Sequence, residues 1–152
     1  MKHSLRFSPV AGALPCLLMY PVVSASVDRP AIWAQPVVLA GVPNLHKVTD
    51  TFYRSAQPTA AGLKNLEKLG IKTVVSLRAF HSDRGDSEHA GLCCEHIFMK
   101  TWHPEEEDVV RFLKIATDPT RAPVLVHCQH GADRTGTMVA AGGPMIFSFF
   151  AT

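Results

Sequence analysis

The sequence predicts an α/β domain with a central, largely parallel sheet and helices on both of its faces. Two short runs rich in β-branched residues, 71–77 and 123–126, are typical of strands, and the first is apolar enough to be buried. A helical pattern precedes the first run, and a tight loop and a helix start follow the second. Strands that alternate with helices in this way favour an α/β arrangement.

The first 25 residues are typical of an export signal. Lys2 and Arg6 give a positive start, residues 9–23 are mostly apolar, and Val-Ser-Ala at 23–25 offers small side chains for cleavage. The apolar run is short and broken by prolines, so no stable membrane span is expected after cleavage. We therefore predict an exported protein, periplasmic or extracellular, with anchoring by an uncleaved segment as the alternative.

The predicted domain occupies residues 46–141. Residues 26–45 carry three prolines without a usable periodicity, which predicts an irregular lead-in. A Gly-Gly-Pro sequence at 142–144 predicts the end of the last helix, and residues 142–152 then form an apolar tail.

Local patterns predict the elements inside these boundaries. Thr59 is a suitable N-cap, leucines follow at helical spacing and Gly70 ends the pattern, so a helix is predicted between them. The other predicted elements are a hairpin or strand pair at 48–55, a polar loop with a short helix at 79–91, a strand at 95–99 and a helix that ends near 117.

Composition limits the functions that the chain can have. The length of 152 residues supports one domain, and a net charge of +2 without a basic and aromatic stripe argues against nucleic acid as a partner. The scattered histidines lack the spacing of metal ligands, so no metal and no cofactor is expected. These histidines are His81, His89, His96 and His103.

The most informative segment, residues 124–136, has the sequence VLVHCQHGADRTG. Its strand stops at Cys128, its loop turns at Gly131 and a helix begins at Arg134. The N–H groups of such a loop converge on one point, where the helix adds its positive end, so the loop can hold a tetrahedral anion. The same groups should lower the pKa of the Cys128 thiol. A thiolate can attack a phosphate monoester, and an arginine fork fits two phosphoryl oxygens.

This segment resembles the phosphate-binding loop of cysteine-dependent dual-specificity and tyrosine phosphatases, in particular their bacterial branch. With the YRSAQP and LGIKTVVSLR sequences, the resemblance extends from about residue 46 to 140. It implies that Cys128 forms a phosphocysteine, Arg134 binds the phosphoryl group, Thr135 aids breakdown of the intermediate, and His127 helps to keep the thiolate charged. The implied substrate-binding residues are Gln129, His130, Gly131, Ala132, Asp133 and Arg134.

The resemblance also implies a carboxylic acid, on the loop after the 95–99 strand, that protonates the leaving group. The part of this loop nearest the strand has no carboxylate, which departs from the family pattern. The first candidates are Glu105, which we take as the acid, and Glu106, with His103 and Asp108 behind them. The alternative is that this acidic cluster only favours the first turn of a helix.

The C-terminus is a second departure from the family, whose members continue through further helices. We expect a truncated chain in which the sheet is incompletely covered and exposes apolar surface. The predicted function is phosphomonoester hydrolysis through a phosphocysteine. The alternatives are an inactive remnant that at most binds phosphate and, less favoured, a sulfurtransferase.

The loop residues also bear on substrate and redox chemistry. The loop has no lysine, and Asp133 would repel further phosphates, which argues against highly phosphorylated inositols. A phosphorylated protein or a small phosphomonoester remains as substrate. Cys93 or Cys94 could form a disulfide with Cys128, or both could be unpaired cysteines.

Overall fold

The computed structural model describes residues 30, 33–80, 83–100 and 105–149, with side chains as far as residue 143. The predicted signal segment lies outside these ranges, as do His81 and His103, and the predictions for them stay predictions. No helix in the described ranges is long and apolar enough to cross a membrane.

Strands and helices alternate along most of the chain, as predicted. The strands are β1 (Gln35–Pro36), β2 (His46–Lys47), β3 (Phe52–Ser55), β4 (Thr73–Ser76), β5 (Cys93–His96) and β6 (Val124–His127). The helices are α1 (Ala60–Lys68), α2 (Arg84–His89), α3 (Glu106–Ala116) and α4 (Asp133–Phe149). Within the part of the chain that the structure describes, the strands form one sheet in the order β1-β2-β3-β6-β4-β5.

The sheet is parallel in its centre and antiparallel at one edge. β6 pairs in parallel with β3 on one side and β4 on the other, and β4 pairs in parallel with β5. β2 runs antiparallel to β3 as a hairpin-like pair, and β1 is antiparallel to β2. The predicted α/β class with a largely parallel sheet is therefore confirmed.

The two faces of the sheet support two separate cores. All four residues of β4 and all four of β6 are buried. Val75 and Val126 belong to a core that includes residues of α3 and α4, whereas Val74 and Leu125 belong to one that includes residues of α1. This alternation follows from the opposite directions of neighbouring side chains along a strand. Helices therefore cover both faces, as the sequence predicts.

The helix α1 begins where the cap predicts it. The N–H of Gly62 donates to Thr59 Oγ1 at 3.0 Å, and Gly70 follows the helix with φ of +96°. Leu63 and Leu66 are buried, so the predicted apolar face packs against the sheet.

The prediction of an irregular lead-in over residues 26–45 is wrong for its second half. Residues 35–36 form β1, and the side chains of Val42 and Leu45 are buried with those of α1. Asn65 of α1 donates from Nδ2 to the carbonyl oxygen of Ala40 at 3.0 Å. Tertiary packing thus orders a segment whose prolines conceal any periodicity.

The predicted helix end at 142–144 is also wrong, because α4 continues to Phe149. Glycine costs about 1 kcal/mol and proline about 3 kcal/mol in a helix interior, so this sequence disfavours continuation without forbidding it. The prediction of an incompletely covered sheet is wrong for the two central strands, while large apolar side chains such as Phe80 and Phe98 are exposed elsewhere in the described part of the chain. Among the described residues, every apolar side chain of β4 and β6 is buried, with Met138 of α4 fully buried in the same core as Val126.

The fifth strand begins earlier than predicted. Cys93 and Cys94 were expected just before a strand at 95–99, but they are its first two residues and pair with Thr73 and Val74 of β4. The register of the neighbouring strand decides this boundary, and no local pattern in residues 93–99 does.

Candidate active site

The loop after β6 lies where several parallel strands end together. In the sheet register, His127 is level with Ser55 of β3 and with Ser76 of β4. The residues that follow these strands therefore meet at one edge of the sheet. Ligand sites in open α/β sheets form at such carboxyl edges. This position brings the predicted loop beside segments that are remote from it in sequence.

The carbonyl oxygens of the loop are held from outside. Asn44 Nδ2 donates to the carbonyl of His130 at 3.1 Å, and Arg54 Nη2 donates to that of Gly131 at 3.2 Å. The N–H of Gln57 donates to the carbonyl of Gln129 at 3.3 Å. Because these carbonyls are engaged with β3 and the segments beside it, the N–H groups of the loop are free to face its interior.

The sulfur of Cys128 occupies that interior. Its side chain is buried, and the N–H of Gly131 donates to Sγ at 3.2 Å. Burial raises the pKa of the thiol. The Thr135 hydroxyl and the amides of Thr135, Gly131 and His130 outweigh burial, so the pKa of Cys128 lies below its usual value. The predicted direction of the shift is confirmed, and hydrogen bonding causes it.

Gly131 allows the loop to turn against β3. Its φ is +70°, and a Cβ built on it would lie 2.5 Å from the main-chain atoms of Ser55 and Ala56. Only glycine fits such a turn without strain and such a close approach without a clash. The glycine therefore serves the shape of the loop.

Thr135 and Arg134 follow the loop in the first turn of α4. Thr135 is fully buried, and its hydroxyl has no conventional hydrogen-bond partner among the described residues, which leaves it to interact with the Cys128 sulfur. Arg134 donates from Nη1 to the carbonyl of Leu77 at 3.2 Å. This bond holds its guanidinium at the end of β4, on the side of the loop nearest that strand.

His127 is fully buried between the loop and a carboxylate. Its Nδ1 lies 3.3 Å from the carbonyl oxygen of Cys128, and its Nε2 lies 3.1 Å from Asp83 Oδ2. The second contact is close but poorly aligned for a hydrogen bond. The contact places the imidazole ring directly against the Asp83 carboxylate.

The remaining loop side chains point outward. Gln129, His130, Ala132 and Asp133 are exposed, whereas Gly131 is buried. The exposed side chains surround the entrance to the anion cradle, where they can contact the part of a substrate beyond its phosphate. Their main-chain amides, with that of Arg134, are the groups that can bind an anion.

The structure tests the predicted acid only in part. Glu105 is exposed and stands at the N-cap position of α3, and its carbonyl accepts from the N–H groups of Asp108 and Val109. Glu106 and Asp108 lie in the first turn of the same helix. Burial, with Glu105 and Glu107 nearby, raises the pKa of Asp108. The acidic residues thus lie at the start of a helix, where their charges favour the first turn, as the alternative interpretation expects. The role of Glu105 as the acid stays a proposal.

A disulfide between the strand cysteines and Cys128 is excluded by the register. Cys93 shares a row with Thr73 and Val124, so Cys128 lies two strands across and four residues along. With about 4.8 Å between strands and 3.3 Å per residue, the Cα atom of Cys128 lies roughly 16 Å from that of Cys93 and roughly 14 Å from that of Cys94. A disulfide requires less than about 7 Å. All three described cysteines are free.

Three residues that support the loop escaped the sequence analysis as site residues. They are Asn44, Gln57 and Asp83, which contact the loop or His127 from distant parts of the chain. The only local signals are that Gln57 follows β3 and that Asp83 follows β4. Within the described ranges, no group of His, Cys, Asp or Glu side chains is arranged to hold a metal ion.

The parallel sheet, the amide cradle around a low-pKa cysteine and the arginine behind it define a class, the cysteine-dependent phosphatase domains. Comparison with known proteins agrees. A family model described as DSP-PTPase phosphatase fused to NAD+ kinase matches residues 39–143. The chain belongs to this dual-specificity and tyrosine phosphatase family, as the sequence motifs predict.

Similar proteins with assigned names are also tyrosine or dual-specificity phosphatases. The putative tyrosine-protein phosphatase OCA1 of Mycosarcoma maydis is 34% identical over 113 residues, covering 67% of this chain and 70% of its own. The dual specificity protein phosphatase TpbA of Pseudomonas aeruginosa is 34% identical over 142 residues, covering 90% and 62%. The chain thus spans less than two thirds of TpbA's length.

Solved structures show the same fold. The crystal structure of P. aeruginosa TpbA aligns with a TM-score of 0.63 at 32% identity, covering 73% of this chain and 68% of that one. A variant of TpbA in complex with pTyr aligns with the same TM-score. The catalytic core of Siw14 from S. cerevisiae, at 20% identity and a TM-score of 0.60, supports the fold alone.

Proposed function

We propose that this chain hydrolyses phosphomonoesters in two steps through a phosphocysteine. The observation that carries the proposal is the buried Cys128 sulfur, which accepts the N–H of Gly131 at 3.2 Å and has a lowered thiol pKa. In the first step the thiolate attacks phosphorus and the ester oxygen leaves. In the second step water attacks phosphorus, releases phosphate and restores the thiolate.

Different groups of the site assist phosphoryl binding and breakdown of the phosphocysteine. The loop amides and the guanidinium of Arg134 bind the phosphoryl oxygens, whose charge they stabilise most in the transition state. The Thr135 hydroxyl, which interacts with the sulfur, stabilises the thiolate as it leaves in the second step. Its interaction with Cys128 already lowers the pKa of that thiol in the resting enzyme.

The substrate class that we propose is an aryl phosphate, in particular phosphotyrosine. The relative TpbA was solved with pTyr, and family membership makes that ligand relevant to this chain. Asp133 is exposed at the entrance, where its charge disfavours a second phosphate on the substrate. Arg54 is engaged with the Gly131 carbonyl, which it supports from behind the loop.

The proposal is tested by hydrolysis of p-nitrophenyl phosphate and of a phosphotyrosine peptide by the chain and its Cys128→Ser variant. We expect the variant to lose at least about 10³-fold in kcat, because a serine hydroxyl at this pH is a far weaker nucleophile than a thiolate. Vanadate should inhibit the unsubstituted chain competitively.

Cys93→Ser is the matched control, since Cys93 is exposed on β5 and far from the loop. It should keep full activity. A cooperative melt without hydrolysis by the unsubstituted chain would contradict the proposal and favour the phosphate-binding remnant. Sulfur transfer from thiosulfate without hydrolysis would favour the sulfurtransferase.

We also propose that Glu105 protonates the leaving group. Its exposed position at the start of α3 follows directly on the loop that carries the acid in the family. We expect Glu105→Gln to lower the rate of hydrolysis of a phosphoserine peptide by about 10²-fold. The rate for an aryl phosphate should fall much less, because a phenolate leaves without full protonation. Initial rates on both substrates measure this difference.

Asp108→Asn is the comparison, because burial raises the pKa of Asp108, so that it keeps its proton to a higher pH than an ordinary aspartate. If Asp108→Asn shows the selective loss and Glu105→Gln does not, the acid is Asp108. Equal losses on both substrates would contradict an acid role for either residue.

A further inference from the structure

Asp83 is a buried carboxylate with partners on several segments. Its residue is only 9% exposed. Oδ1 accepts from Gln57 Nε2 at 2.9 Å and lies 4.0 Å from Arg78 Nη1. Oδ2 accepts from the Ser76 hydroxyl at 3.1 Å and lies 3.1 Å from His127 Nε2. These partners belong to the ends of β4 and β6 and to the segment after β3.

Two of these partners, His127 and Gln57, also contact the nucleophile loop, residues 128–134. His127 precedes Cys128, and its Nδ1 lies 3.3 Å from the Cys128 carbonyl oxygen. The N–H of Gln57 donates to the carbonyl of Gln129 at 3.3 Å. One carboxylate therefore contacts the side chains of two residues that bind adjacent loop carbonyls: the His127 ring lies against the Cys128 carbonyl, and the main-chain N–H of Gln57 donates to that of Gln129.

The carboxylate is charged despite its burial. Burial raises the pKa of Asp83, but the contact with His127, the Ser76 hydroxyl and the Arg78 charge outweigh it, so the pKa lies below its usual value. Cys94 of β5 is a further titratable group that Asp83 influences: burial raises the pKa of its thiol, and the Asp83 charge raises it further. A charged, enclosed Asp83 has no proton to give at neutral pH, which excludes it as the general acid.

We propose that Asp83 is a positioning residue, which aligns the amides of the nucleophile loop on the Cys128 sulfur through His127 and Gln57. The inference rests on the proposed function for its kinetic consequences, but the alignment itself is measurable without substrate. A buried charge is costly unless it is fully paired, and Asp83 has four partners gathered at one place beside the site.

The test is Asp83→Asn, which keeps the shape of the side chain and removes its charge. The rate of iodoacetamide alkylation of Cys128 is followed against pH by peptide mass, which separates Cys128 from Cys93 and Cys94. We expect the pH midpoint to rise by about one unit and kcat to fall by 10- to 100-fold, with KM changed less than about threefold.

The direction in which the pH midpoint of Cys128 alkylation moves distinguishes a positioning role of Asp83 from the direct effect of its charge. Loss of a nearby negative charge would by itself stabilise the thiolate and lower the midpoint. A rise is opposite to this direct effect and therefore reports a change transmitted to the loop through the residues that Asp83 contacts. Asp83→Glu, which restores the charge, should recover part of the shift. Asp86→Asn is the matched control, because Asp86 is exposed in α2, the helix that Asp83 precedes as N-cap, and it should change neither quantity.

Ser76→Ala provides a second variant in case Asp83→Asn folds poorly. It removes one hydrogen bond to Oδ2 and leaves the charge, so a smaller rise in the same direction is expected. An unchanged or lowered midpoint in folded Asp83→Asn would overturn the inference. If the unsubstituted chain hydrolyses no phosphate ester but the midpoint still rises in the variant, the proposed function fails and the positioning role stands.

Discussion

Replacement of Arg134 by lysine is expected to lower kcat for p-nitrophenyl phosphate by about 10²- to 10³-fold, the usual effect of losing one preorganised donor to a developing charge. Lysine keeps the positive charge but not the planar fork, so it cannot donate two parallel hydrogen bonds to the phosphoryl oxygens. It is also shorter in reach toward the Leu77 carbonyl, to which Arg134 now donates at 3.2 Å. Steady-state kinetics and the inhibition constant of vanadate measure the effect.

The lost bond to Leu77 should cost only about 0.5–1.5 kcal/mol of stability, so the variant should stay folded. Arg111→Lys is the control. Arg111 lies on α3 with its side chain 54% exposed, and it pairs with Glu95 at 3.2 Å on the surface. Full activity in Arg111→Lys is expected. An Arg134→Lys variant with more than about a third of the normal kcat would contradict transition-state binding by the fork.

Replacement of Gly131 by alanine is expected to reduce both stability and activity. The added Cβ would lie 2.5 Å from main-chain atoms of Ser55 and Ala56, and φ of +70° disfavours any side chain. Strain and overpacking together should lower the free energy of unfolding by about 2–6 kcal/mol. Because the Gly131 N–H contacts the Cys128 sulfur, displacement of the loop should also lower the kcat of the variant by about 10²-fold or more.

Gly85→Ala is the matched control for this prediction. A Cβ on Gly85 would meet nothing within 4 Å, and Gly85 lies in α2 away from the loop. Alanine there should leave activity unchanged and raise stability slightly, because alanine favours a helix more than glycine does. Urea unfolding and kinetics on both variants give the comparison. A Gly131→Ala protein with normal stability and kcat would show that the loop can move away from β3 at little cost.

The predictions that succeeded concern segments whose structure depends on neighbours in sequence. The Thr59 cap, the buried strand before Leu77 and the loop after His127 all have the expected form. Caps and amide cradles form between residues a few positions apart, so a short sequence contains everything that they need.

The predictions that failed concern segments whose structure depends on distant packing. Val42 and Leu45 are ordered by α1, the start of β5 is set by its register with β4, and α4 passes through a Gly-Gly-Pro sequence that locally disfavours a helix. Burial against α1 orders the first of these segments and pairing with β4 sets the second, and no local window contains either contribution.

The sequence by itself determined the candidate nucleophile and the loop around it, because Cys128, Gly131, Arg134 and Thr135 belong to one continuous strand, loop and helix. Only the tertiary structure decided what holds that cradle in place. Asn44 reaches the loop across 86 positions of sequence and Arg54 across 77. Such contacts arise when parallel strands end at one edge of a sheet, and strand order cannot be derived from the loop's own residues.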